Sequence, residues 1–143
     1  MAKTTGTQEA RQKLYRIIDG AGGPDKYIDA EEEKDIFAQA DTLDIWKGQA
    51  EAMLNHRCKE REWTRESEIT HYLRIMLAEA TKNDGAIDKK GFEHIVGFAV
   101  ALRMPRKDAI RICCMLIRQG GWKTQKKGLL KGKDWLKEYE KMG

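Results

Sequence analysis

Residues 73–113 read LRIMLAEATKNDGAIDKKGFEHIVGFAVALRMPRKDAIRIC, and 59 positions earlier residues 14–54 read LYRIIDGAGGPDKYIDAEEEKDIFAQADTLDIWKGQAEAML. The two stretches align without a gap. Leu14/Leu73, Ala21/Ala80, Asp25/Asp84, Ile28/Ile87, Asp29/Asp88, Ile36/Ile95, Ala40/Ala99, Leu43/Leu102 and Ala50/Ala109 are identical. Ile18/Leu77, Phe37/Val96, Ile45/Met104 and Met53/Ile112 are apolar in both copies. Such a repeat predicts one helical unit used twice, each copy burying its apolar side against the other.

The helices follow from spacing. Ile69, Tyr72, Leu73, Met76, Leu77 and Ala80 fall on one wide helical stripe. Asn83-Asp84-Gly85 breaks it. Asp88 reads as the N-cap of a helix through Phe92, Ile95, Ala99 and Leu102. Pro105 suits the first turn of another helix, which carries Ala109, Ile110, Cys113 and Ile117 and stops at Gly120-Gly121. In the first copy a helix runs from Thr7 to Asp19 and ends at Gly20-Ala-Gly-Gly-Pro24. Asp29 and Glu32 form a capping box for a helix from Ala30 to Ala40. Asp44 reads as the cap of a third helix with Ile45, Trp46, Ala50, Met53 and Leu54. A short last helix around Lys133 to Lys141 carries Trp135, Leu136 and Tyr139. Strand signals are nearly absent. The fold expected is all-α: a tandem duplication of a three-helix unit, about seven helices in one compact bundle. Residues 1–119 hold the duplication, and residues 120–143 form a basic aromatic tail packed on it or extending from it.

Of the 143 residues, 41% are hydrophobic and 35% charged, which fits one soluble, helix-rich domain. No apolar run approaches the roughly 20 residues of a membrane helix. The first residues lack the apolar core of a secretory signal, so the cytoplasm is the expected location. Cys58, Cys113 and Cys114 have no framework spacing and read as buried thiols. His56, His71 and His94 offer no zinc-ligand spacing with them. No glycine-rich phosphate loop follows a strand, and nothing flanks the cysteines that marks an activated nucleophile. The expectation is a protein without enzymatic activity.

Two features carry candidate chemistry. The first is the doubled acidic loop. Asp84, Gly85, Ile87 and Asp88 match positions 5, 6, 8 and 9 of an EF-hand loop, whereas Ala80, Lys82 and Gly91 stand where positions 1, 3 and 12 need ligands. In the first copy Asp25, Asp29 and Glu32 are all acidic, and Lys26 replaces the glycine. The five carboxylates of Asp25, Asp29, Glu32, Asp84 and Asp88 could share a divalent cation, calcium or magnesium. Alternatively, Asp29 and Asp88 are helix caps, and Asp25 and Asp84 are turn residues. The second feature is charge. Residues 21–55 hold three Lys/Arg and nine Asp/Glu, a net of −6; residues 118–143 hold eight and three, a net of +5. Trp122, Lys123, Lys126, Lys127, Lys131 and Lys133 interleave cations with an indole, a composition suited to nucleic acid. In the other reading Trp135, Leu136 and Tyr139 clamp the tail to the bundle, and the lysines keep it soluble.

The run Asp84-Gly85-Ala86-Ile87-Asp88, with Ala99-Val100-Ala101-Leu102 and Ala109-Ile110, resembles the TerB-like family linked to tellurite resistance. The resemblance covers residues 14–117. It implies an all-helical duplication acting as a cytoplasmic accessory or scaffolding module, some members having a metal-binding acidic loop; the positions carried over are Asp25, Asp29, Glu32, Asp84 and Asp88. Gly91 and Lys26 depart from the family pattern. The function expected is recruitment of a protein partner, with the acidic first half and a groove between the two units as contact surfaces. The alternative is nucleic-acid binding through the tail.

Overall fold

Thr7 Oγ1 accepts the Ala10 N–H at 3.0 Å and starts α1 (Gln8–Gly22), which buries Leu14, Ile18 and Gly22. The computed structural model describes residues 7–124 and 135–142. α1 ends within the expected Gly20–Pro24 stretch, at Gly22 with Gly23 as its C-cap, three residues beyond Asp19. At Gly22 a Cβ would lie 2.4 Å from the Trp63 ring, so glycine is what lets that indole pack on the helix. Beyond it come β1 (Tyr27–Ile28), α2 (Ala30–Thr42), α3 (Lys47–Arg61) and β2 (Thr64–Arg65). Then follow α4 (Glu66–Thr81), β3 (Ala86–Ile87), α5 (Lys89–Ala101), α6 (Arg106–Gly120), β4 (Lys123–Thr124) and α7 (Trp135–Met142). The described residues thus form seven helices, and the all-α expectation holds.

The strands are two-residue parallel bridges. Tyr27 pairs with Thr64 and Ile28 with Arg65; Ala86 pairs with Lys123 and Ile87 with Thr124. Two residues are too few to show the alternation that betrays a strand in sequence. Each bridge ties the residues before one helix to those after the next.

The chain divides at Ser67/Glu68 into two compact units. In unit 1, α1 packs against α2 and α3, and α2 against α3. Its core centres on Leu14, Ile18, Ile36, Leu54 and Trp63. In unit 2, α5 packs against α6 and α6 against α7. There Trp135 and Tyr139 stand against Phe92 with ring centroids 5.2 and 4.6 Å away, and Leu136 is buried beside them. Arg118 grips Glu140 through two bonds of 3.1 and 2.9 Å. α7 is therefore clamped on its own unit by apolar burial.

Backbone hydrogen bonds recur at the 59-residue offset. Lys26 N–H donates to Gly22 O and Gly85 N–H to Thr81 O, both at 2.7 Å. Thr64 N–H donates to Lys26 O at 3.0 Å and Lys123 N–H to Gly85 O at 2.9 Å. Lys26 and Gly85 both have positive φ, 59° and 69°.

Three local expectations are corrected. Asp44 does not cap α3: it has φ 57° and ends α2. Ile45 N–H reaches Ala40 O at 2.9 Å and Asp44 N–H reaches Asp41 O at 3.1 Å, the two bonds of a Schellman motif. Trp46 is the N-cap of α3, so Ile45 and Trp46 precede that helix. Pro105 stands at the N-cap of α6, one residue ahead of its first turn. On α4 the buried stripe is only Ile69, Leu73, Leu77 and Thr81; Tyr72 and Ala80 are exposed and Met76 half-buried. No helix among the described residues is long and apolar enough to cross a membrane.

Candidate functional site

The acidic loops are built as turn-and-cap devices. In unit 1, Asp25 Oδ1 accepts the Tyr27 N–H at 3.1 Å, which pins the turn into β1. Asp29 Oδ1 accepts the Glu32 N–H at 2.8 Å, and Glu32 Oε1 accepts the Asp29 N–H at 3.0 Å, a complete capping box. The Glu32 carboxyl is held above its ordinary value, first by burial and then by the charges of Asp29 and Asp25, with the Asp29 N–H bond opposing them. Glu32 thus feels the charges of both aspartates. In unit 2, Asp84 Oδ1 accepts the Ala86 N–H at 3.1 Å and Asp88 Oδ1 the Gly91 N–H at 2.6 Å. Gly91 has no side chain to return the second bond of the box. The room left there is a cavity of about 180 Å³ lined by Asn83, Asp84, Asp88 and Gly91 among others. Among the described residues no three His, Cys, Asp or Glu side chains form a group able to hold a metal ion.

Of the tail residues singled out in the sequence, Lys126, Lys127, Lys131 and Lys133 lie outside the described residues. Trp122 is half-buried and its ring lies against Gly120. Lys123 is exposed, while its backbone serves the β3–β4 bridge.

Sequence reasoning missed a buried arginine. Arg65, in β2, is 4% exposed. Its Nη2 lies 3.1 Å from Glu33, its Nη1 donates to Glu51 at 3.0 Å, and Nη1 also donates to Asn55. Burial works against its charge, but the bonds to Glu51 and the charge of Glu33 outweigh it and raise its pKa. The signal available was three polar residues, Glu33, Glu51 and Asn55, where the second copy has Phe92, Ile110 and Cys114.

The second missed feature is a groove. It runs between α4 and α5, has a volume of about 510 Å³, and is lined by Ile75, Met76, Glu79 and Ala80 of α4 and by Gly91, His94 and Ile95 of α5. Ile75 is 52% exposed. One turn further along, Tyr72 and Phe98 meet edge to face at 6.5 Å, 41% and 37% exposed. An aromatic pair and an isoleucine this exposed on one hairpin are unusual on a solvent face. The first copy is the internal control. Lys13, Arg16 and Gln39 stand where Tyr72, Ile75 and Phe98 do, and all three are exposed. In unit 1, α1 and α2 pack together without apolar residues at these places.

Burial pushes the Cys113 thiol up to about 12, and Cys114, also buried, to about 11. Comparison of the chain with protein-family models, curated proteins and solved structures finds no match.

Proposed function

We propose that the protein is a small cytoplasmic, non-enzymatic helical accessory module that binds an apolar segment of a protein partner in the groove between α4 and α5. One observation carries this reading: unit 2 replaces exposed Lys13, Arg16 and Gln39 of unit 1 by exposed Tyr72, Ile75 and Phe98. Folding does not require that exchange, and exposed apolar side chains cost solubility, so binding is what accounts for them. Burial of Cys113 and Cys114, with their raised thiol pKa values, makes these two cysteines poor nucleophiles. The likeness to TerB-like accessory modules agrees with the proposed role. The cap and turn bonds of Asp25, Asp29, Asp84 and Asp88 support a structural role for the acidic loops, independent of any cation.

A photo-crosslinking residue placed at position 75, and in a second variant at position 16, tests the groove in cells. Adducts are expected from position 75 and not from position 16. Equal labelling at both, or none at 75, would overturn the reading.

A further inference from the structure

The outer face of α4 carries an ordered pattern. Glu68, Tyr72, Ile75, Glu79 and, just past the end of the helix, Lys82 recur at spacings of four, three, four and three, and all five are exposed. That alternation sets them along one seam of the kind by which two helices pack. Charge along the seam is self-complementary. Glu68 lies seven positions before Ile75 and Lys82 seven after; His71 lies four before and Glu79 four after. A two-fold axis at Ile75, with two copies of α4 antiparallel, sets each Glu68 opposite Lys82 of the other copy and each His71 opposite Glu79. A parallel pairing would instead set Glu68, Glu79 and Lys82 each against its own like charge, which is costly. The bonds these residues already make can stay. Glu68 accepts the Tyr72 hydroxyl at 3.1 Å and Glu79 the Lys82 ammonium at 2.7 Å, but a carboxylate has two oxygens and an ammonium three N–H donors.

Resting on the binding role proposed above, we infer that the partner at this face is a second copy of this chain, docked antiparallel along α4. Ile75 meets its own counterpart on the axis. Tyr72 of each copy falls beside Ala78 and Glu79 of the other, at the groove between α4 and α5. Half-buried Met76, and Phe98 edge to face with Tyr72 at 6.5 Å, widen the apolar centre. The ion pairs lie about 10 Å from the axis on either side, a polar rim around an apolar core. Unit 1 lacks the pattern: Lys13 and Arg16 stand at the places of Tyr72 and Ile75, and Gly20 and Gly23 at those of Glu79 and Lys82.

The test is sedimentation equilibrium of the full-length protein over a wide concentration range. A monomer–dimer equilibrium is expected. Ile75→Arg, which copies Arg16 of unit 1, should raise the dissociation constant about tenfold or more. Glu68→Lys and Lys82→Glu should each raise it about three- to tenfold, since each turns two attractions into two repulsions. The double variant Glu68→Lys/Lys82→Glu reverses both signs and should restore the original constant. A local effect on the helix would not be undone this way, because the neighbours Tyr72 and Glu79 are unchanged. A monomer at every concentration, a dimer indifferent to Ile75→Arg, or a double variant no better than its singles would overturn this inference. Photo-adducts from position 75 separate the two readings. Adducts of twice the chain's mass support both. Adducts that hold only other proteins overturn this inference and leave the groove reading intact, and the absence of adducts overturns both.

Discussion

The two units seal equivalent positions by opposite means. In unit 1, Glu33, Glu51 and Asn55 converge on the buried guanidinium of Arg65. In unit 2 the residues 59 positions on are Phe92, Ile110, Cys114 and Thr124, and the rings of Trp135, edge-on, and Tyr139, tilted, from α7 pack against Phe92. Unit 1 keeps its polar groups and satisfies them with one cation. Unit 2 removes them and adds a helix. The same turn and bridge hydrogen bonds stand beside both, so these bonds do not dictate the chemistry of the seal. The energetics differ. An apolar seal gains from every square ångström removed from water, whereas a buried ion pair largely offsets its own desolvation.

Four measurements sharpen or break that contrast. The largest effect belongs to the apolar seal. Phe92→Ala should cost about 3–5 kcal/mol in urea unfolding, because the ring is fully buried beneath Trp135 and Tyr139. A loss under 1 kcal/mol would mean that α7 does not hold the core shut.

Arg65→Met should cost about 2 kcal/mol, less than a fully buried pair would, because Glu51 is partly open to solvent. Adding Glu33→Leu and Glu51→Leu should recover most of the loss. If the triple variant is no better than the single one, the network does more than satisfy its own charges.

Next in size is the left-handed turn. Lys26 and Gly85 share it, but only glycine adopts it without strain. Lys26→Gly should stabilise by about 0.5–1 kcal/mol and Gly85→Lys destabilise by about 1 kcal/mol. Opposite signs in thermal melts are the expected outcome; a shared sign would mean the two loops are not equivalent.

The smallest effect is on pH. The Tyr139 hydroxyl donates to Glu93, and with Arg106 it holds the Glu93 carboxyl below its ordinary 4.5. A carboxyl with a lowered folded pKa stabilises above its unfolded value, and that contribution drains away as pH falls through the lowered one. Tyr139 is pushed up to about 12, first by burial and then by Glu93. Its contribution is complete below the ordinary value of 10.0 and is lost as pH rises toward 12. The Trp135 indole resonance should therefore report firm docking of α7 near neutrality and loosening at both extremes. Glu93→Gln should flatten the acid limb; an unchanged profile would dissociate that bond from docking.

Much of the fold was legible because helices declare themselves by period. The Asp29/Glu32 box and the clamp of Trp135, Leu136 and Tyr139 could both be read from residue type and spacing. Asp44 misled because aspartate serves equally as an N-cap and as a residue tolerant of positive φ. The repeat held the answer: its counterpart Arg103, φ 75°, has no side chain suited to capping. The alignment also continues to Trp63/Trp122, at the ends of α3 and α6, past where the helical stretches were compared. Arg65 was illegible because no local pattern says that an arginine points inward. The groove was hidden by its own hydrophobicity, since Tyr72 fits an inward stripe as well as a surface. Only the polar counterparts Lys13, Arg16 and Gln39 mark that face as outward.

The short parallel bridges make two amides into gauges. Thr64 N–H and Lys123 N–H sit at loop ends, where solvent exchange is ordinarily fast, yet each is held by a carbonyl on the far side of two helices. Neither can swap its proton for deuterium until the span from β1 to β2, or from β3 to β4, comes apart. Their exchange rates should match those of the innermost helical amides of the same half. One spectrum would then time the opening of each half separately, without any label added to the chain.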